Sequence, residues 1–173
     1  MPVILLVVST LAFWVMYWFI RMGGLDHLTE QSARRKRDAE RAKARETERL
    51  APLRAVDDPR DAATILMLLI PRGRDPTRAQ LAAVQETLRG VFGFDRDLAE
   101  RLTHARFMAT RAESFEEAAN VFTELFKKRL TAAERRELVD MVEAIAMIDG
   151  GTSEGQSAGI QVLKQRIGLA PAA

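Results

Sequence analysis

Between Val3 and Ile20, sixteen of eighteen consecutive residues are apolar, and only Ser9 and Thr10 interrupt them. As a helix this run would be about 27 Å long, close to the hydrocarbon thickness of a bilayer. A helix on the surface of a globule shows a polar face every third or fourth residue, and this run has none. Trp14, Tyr17 and Trp18, which include both tryptophans and the single tyrosine of the chain, crowd its C-terminal end. Amphipathic rings favour the headgroup region.

Three readings compete for this segment. A cleaved signal peptide would carry a basic n-region and a small-residue cleavage site, and neither is present. A buried helix of a globular domain is the second. An uncleaved single-pass anchor over residues 1–22 is the expectation adopted. Seven basic residues follow (Arg34, Arg35, Lys36, Arg37, Arg41, Lys43, Arg45), with two acidic ones among them. The positive-inside rule keeps such a stretch in the cytoplasm. The expected placement is therefore the inner (plasma) membrane, N-terminus outside and C-terminal domain cytoplasmic.

Residues 23–55 read as a charged juxtamembrane linker. Glu30/Arg34, Glu40/Lys43 and Glu46/Arg49 stand at helical spacing with the acid first, so an exposed helix is expected, with nothing on it to bury in a core. The seven basic residues of the 34–45 run are candidates for an anion or a lipid headgroup, each contributing about 1 kcal/mol near an anionic surface. The bland alternative is a solvated spacer. Nucleic acid is not expected as a partner, because no aromatic residue interleaves the basic run.

From Val56 to Leu169 the apolar period is helical and no strand alternation appears. Asp58-Pro59 opens a first helix and Asp75-Pro76 a second, with Leu81, Val84, Leu88 and Val91 inward. Asp95 caps a third. Ser114 with Glu117 forms a capping box for a fourth, which carries Phe115, Phe122 and Phe126 as core. Thr131 with Glu134 caps a fifth, holding Leu138, Met141, Val142, Ile145 and Ile148. Ser153 with Gln156 caps a sixth, which ends at Gly168. The fold class expected is all-α: a transmembrane helix, a linker, a compact bundle of six to seven helices over 56–169, and a tail over 170–173. An internal echo appears as well. The first two helices end in Phe92-Gly93-Phe94 and the last two in Ile167-Gly168-Leu169. These hairpins would clamp the third and fourth helices as a central pair.

The segment Ala144-Ile145-Ala146-Met147-Ile148-Asp149-Gly150-Gly151-Thr152-Ser153-Glu154-Gly155-Gln156 resembles the hallmark of the TerB-like family: an apolar helix end, Asp-Gly, two residues, Ser/Thr, two residues, Glu. The first hairpin is similar up to Val91-Phe92-Gly93-Phe94, so the resemblance spans roughly 56–169. The layout also resembles that of membrane-anchored DjlA-type co-chaperones, without their J domain, since no His-Pro-Asp triplet occurs. The resemblance implies a helical module linked to an envelope-stress or tellurite-type response, with acidic turns that hold metal. Two departures weaken the metal. The family's Glu is Gln156 here, and the first turn reads Arg72-Gly73 with no Glu at Arg78–Gln80.

The candidate metal ligands are Asp149, Ser153 and Glu154. Two carboxylates and a hydroxyl are few for calcium or magnesium, and the structural alternative is a capped, glycine-permitted turn. No resident cofactor is expected. Arg72, Arg74 and Arg78 flank the first turn, where a phosphate could meet free amides or the loop could simply be solvated. His104 reads as partly buried and hydrogen-bonded, His27 as interfacial. There is no cysteine, and no nucleophile–base pair is visible, so no enzyme is expected. The functional expectation is a membrane-anchored helical interaction module with an unknown protein partner. The alternative is a metal- or small-anion-binding sensor built on the inter-helix turns.

Overall fold

A computed structural model describes Trp14, Tyr17 and residues 24–71, 75–148 and 150–169. The side chains of residues 24–34 lie outside this description. Among the described residues there are seven helices of three turns or more and no strand. They are α1 (Gly24–Arg54), α2 (Pro59–Leu69), α3 (Arg78–Gly90), α4 (Leu98–Ala109), α5 (Phe115–Arg129), α6 (Ala132–Met147) and α7 (Glu154–Arg166). The chain divides into two units, Met1–Thr47 and Glu48–Ala173.

The transmembrane expectation is corrected. No helix among the described residues is long and apolar enough to cross a membrane. The longest, α1, has 31 residues, ample length, but it is dense in Arg, Lys, Glu and Asp, which are costly to place in hydrocarbon. Of the expected anchor over 1–22 only Trp14 and Tyr17 are described, and the rest of that segment lies outside the described residues. The fold class is accordingly all-α, with no membrane-spanning helix among the described residues. The single-pass and inner-membrane assignments are withdrawn with it.

A second correction concerns the end of the linker. Leu50 and Leu53 are buried at 2 % and 0 % exposure, so the last turns of α1 belong to the Glu48–Ala173 unit and its core. Arg49 fixes them there. Its guanidinium donates to both Glu117 carboxylate oxygens on α5, at 2.8 and 2.5 Å, and to the Arg111 carbonyl at 2.6 Å.

The centre of this unit is α2, which packs against α3, α4, α5 and α6. Every residue from Ala62 to Leu68 is buried. A helix apolar all round belongs inside a bundle. The one polar member, Thr64, returns its hydroxyl to the Arg60 carbonyl at 2.8 Å. The expected central pair of third and fourth helices is thus replaced by a single central helix. Phe115, Phe122 and Phe126 of α5 are core, as expected.

The helix starts are partly as read. Asp58 caps α2 with Pro59 in its first turn. Complete capping boxes close on Thr131–Glu134 and Ser153–Gln156. At α3 the cap is Thr77, boxed with Gln80, and not Asp75. At α4 the cap position is Asp97, not Asp95, and its side chain makes no capping bond. At α5 Ser114 accepts from the Glu117 amide, but the Glu117 carboxylate accepts from the Glu113 amide and from Arg49, so the box is half formed.

The internal echo acquires atomic content. Arg60 in α2 donates to the Phe92 carbonyl at 3.5 Å, and Arg135 in α6 donates to the Ile167 carbonyl, each across 32 residues. Each acceptor precedes a left-handed glycine, Gly93 (φ 69°) and Gly168 (φ 75°). Other residues would be strained there. Both second helices begin with a boxed, buried glutamine, Gln80 or Gln156. Hairpins α2–α3 and α6–α7 therefore repeat one construction. Gln156 also joins them: its Nε2 donates to the Ile70 carbonyl at the end of α2, at 2.8 Å.

Candidate functional site

The expected metal turn is only partly described. Ser153 is a helix cap whose Oγ accepts from the Gln156 amide at 3.3 Å, and Glu154 is exposed in the first turn of α7. Asp149 lies outside the described residues, as do Arg72 and Arg74. Gly150 and Gly151 do take positive φ, 93° and 96°. Among the described residues no group of three His, Asp or Glu side chains converges as a metal site would.

The basic run lies on α1. Arg35, Lys36, Arg37, Arg41, Lys43 and Arg45 are exposed, and the Arg34 side chain is outside the description. Arg37, Arg41 and Arg45 recur every four residues and so share one side of the helix. Like charges at that spacing disfavour the helix by a few tenths of a kcal/mol per pair. His104 is exposed, not partly buried. The His27 side chain lies outside the description.

Two polar clusters turn out to be structural. Arg101 of α4 donates to Asp61 at 2.9 and 3.0 Å and to Asp58 at 3.4 Å. Both Arg60 and Arg101 lie over the Phe94 ring, 4.7 and 4.1 Å from its centre. Burial pushes the Asp58 carboxyl up, but hydrogen bonds from Arg60 and the charges of Arg60 and Arg101 outweigh it, so Asp58 sits below the usual carboxylate range. The second cluster is the Arg49–Glu117 junction. There Arg49 faces both Glu117, at 2.5 Å, and Glu113, at 3.3 Å.

Among the described residues an apolar groove of about 210 Å³ lies where the start of α2, the end of α3 and the first half of α6 meet. Its lining includes Ala63, Val91, Phe92, Leu130, Leu138 and Met141, with Arg60 on one rim and Glu134 and Glu137 on the other. Each wall is held by the local rules above. Phe92 is fixed by its amide bond to the Thr87 carbonyl (3.2 Å) and by the Arg60 contact. Glu134 is pinned by the amide and hydroxyl of Thr131, both at 2.7 Å. The bonds from the Thr131 amide and hydroxyl lower its pKa, so it is a carboxylate at neutral pH. Arg60 is largely offset by Asp58, whose carboxylate lies 2.9 Å away.

The sequence placed one of these residues incorrectly. Val91 was expected inward and is 61 % exposed, whereas Met141 packs half-buried against the core. Periodicity reports which side of a helix is apolar. It does not report whether the fold supplies a neighbour for the last turn.

Compared with known proteins, the chain matches no family model, no curated protein and no solved structure.

Proposed function

We propose that this chain is a non-enzymatic helical docking module, TerB-like in its hairpin construction, that binds another protein through the groove between α2, α3 and α6. The observation that carries this reading is the partly open apolar lining of that groove, where Phe92, Leu130 and Met141 are half-buried and Val91 is 61 % exposed. Of the other exposed large apolar side chains described in the Glu48–Ala173 unit, Met147 and Ile148 stand at the end of α6 and Phe107 stands on α4 beneath the Arg111 guanidinium. An exposed apolar patch rimmed by charge is the usual mark of an interaction surface. At about 210 Å³ the groove falls below the range of about 300–1,000 Å³ typical of small-molecule pockets. It suits a few side chains of a partner better than a metabolite.

The test places a photo-crosslinking residue at Val91 of the full chain, with a second set at exposed His104 as control. A partner captured from position 91 and not from position 104 supports the module. Equal capture from both positions, or capture from neither, removes it.

A further inference from the structure

The groove's shape and charge specify its occupant more closely. We infer that it takes an amphipathic helix of another protein, apolar on one side and flanked by Lys or Arg. This inference rests on the docking reading above and adds the chemistry of the partner.

The geometry comes from α6. Glu137, Met141, Ala144 and Ile148 follow one another at four-, three- and four-residue steps, which places them on one side of the helix. Ala144 and Ile148 are exposed, and Met147 beside them is 62 % exposed. The apolar row therefore continues from the groove to the end of α6. From Leu138 to Ile148 it spans on the order of 15 Å at the helical rise. That is enough for about three turns of a partner helix. The other common way to seat a peptide, adding a strand to a sheet edge, has no counterpart among the described residues, which contain no strand. A helix laid in a groove presents its anchors at i, i+3 or i+4, and i+7, the spacing of the open row on α6.

The charge comes from the rim. Three charged residues line the groove, Arg60, Glu134 and Glu137. Arg60 is held by Asp58 through two side-chain hydrogen bonds at 2.9 and 3.2 Å. Among the described residues Glu134 accepts from the amide and hydroxyl of Thr131, which carry no charge to neutralise it. The rim is therefore net negative. Opposite charge on a partner raises the association rate and rejects acidic competitors, while the apolar row supplies most of the affinity.

The test is a peptide-display selection against the full chain. The library holds amphipathic helices with a fixed apolar face and flanks randomised among Lys, Glu and Ser. Two variants of the chain serve as counter-targets, Val91→Asp and Glu137→Lys. Both residues are exposed, and circular dichroism with a melting curve confirms that each variant folds as the parent does. The expected result is enrichment of Lys-flanked helices that weakens with added salt. Val91→Asp should reduce their binding by about tenfold or more. Glu137→Lys should move the enrichment toward Glu flanks. Enrichment of Ser or Glu flanks on the parent chain, lost with Val91→Asp, overturns the charge inference and leaves the docking reading intact. Enrichment that Val91→Asp does not reduce, or no enrichment at all, overturns both.

Discussion

Two glycines of α7 show how one atom decides a residue's role. A Cβ added at Gly155 would meet nothing within 4 Å, whereas at Gly159 it would lie 2.9 Å from Glu116 Oε1 and 3.0 Å from Phe115 Cδ1. The carboxylate can swing away cheaply. The Phe115 ring cannot, since it is buried at 6 % exposure between helices. Replacing a helical glycine by alanine gains up to about 1 kcal/mol of propensity, and overpacking a core costs about 1–3 kcal/mol. Gly155→Ala is therefore expected to stabilise slightly and Gly159→Ala to destabilise. The difference between their urea unfolding free energies should be on the order of 1–3 kcal/mol. Equal effects would mean that α5 and α7 do not approach as closely as described. Gln156 gives the complementary lesson. Its box with Ser153 was legible in the sequence, because the S-x-x-Q spacing is local. Its bond to the Ile70 carbonyl was not, because that acceptor is 86 residues away. The same bond gives a physical sense to an amide at this position: it has an N–H to donate to a buried carbonyl, and an ionised carboxylate has none.

At the scale of elements, the caps and stops were readable and the joints between helices were not. Thr131–Glu134, Ser153–Gln156, Gly93 and Gly168 are short-range signals and hold. The cap at α3 was misplaced because Asp75-Pro76 and Thr77 stand side by side, and only the chain path decides which residue turns inward. Arg49 read as the partner of Glu46 one turn away, whereas its guanidinium is spent on α5. That junction carries a pH prediction. The Arg49 hydrogen bonds, with a smaller part from the Glu113 amide, hold the Glu117 carboxyl below the usual range against its partial burial. A depressed folded-state pKa means that the unfolded chain binds the proton more readily. The stabilisation is thus fully present above the unfolded value of about 4.3 and is lost as pH falls through the lower folded value. Glu117→Gln should lower stability at neutral pH by about 1–3 kcal/mol. It should also flatten the acid limb of a melting-temperature profile between about pH 2 and pH 6. A variant that kept the parent's slope below about pH 5 would show that other carboxylates carry it.

For the whole molecule, the question is where the folded body begins. Composition puts the boundary at residue 56, since the linker before it is dense in charge and the sustained apolar period starts at Val56. Burial puts it at Glu48. Composition averages over the linker and so misses two leucines, Leu50 and Leu53, that reach the core from the end of a charged helix. Large-to-small changes at such sites cost about 2–5 kcal/mol each. Losing both, together with the Arg49–Glu117 pair, is a loss comparable to the entire stability of a domain this size, about 5–15 kcal/mol. Two truncations separate the boundaries. A chain beginning at Glu48 is expected to unfold cooperatively near the melting temperature of the full chain. One beginning at Val56 should keep helical circular dichroism but lose the sharp transition, because the bundle would retain its helices with a core open on one side. If the shorter chain melted as sharply and as high as the longer one, Leu50 and Leu53 would contribute nothing. The charged helix would then end, as composition alone suggests, outside the fold.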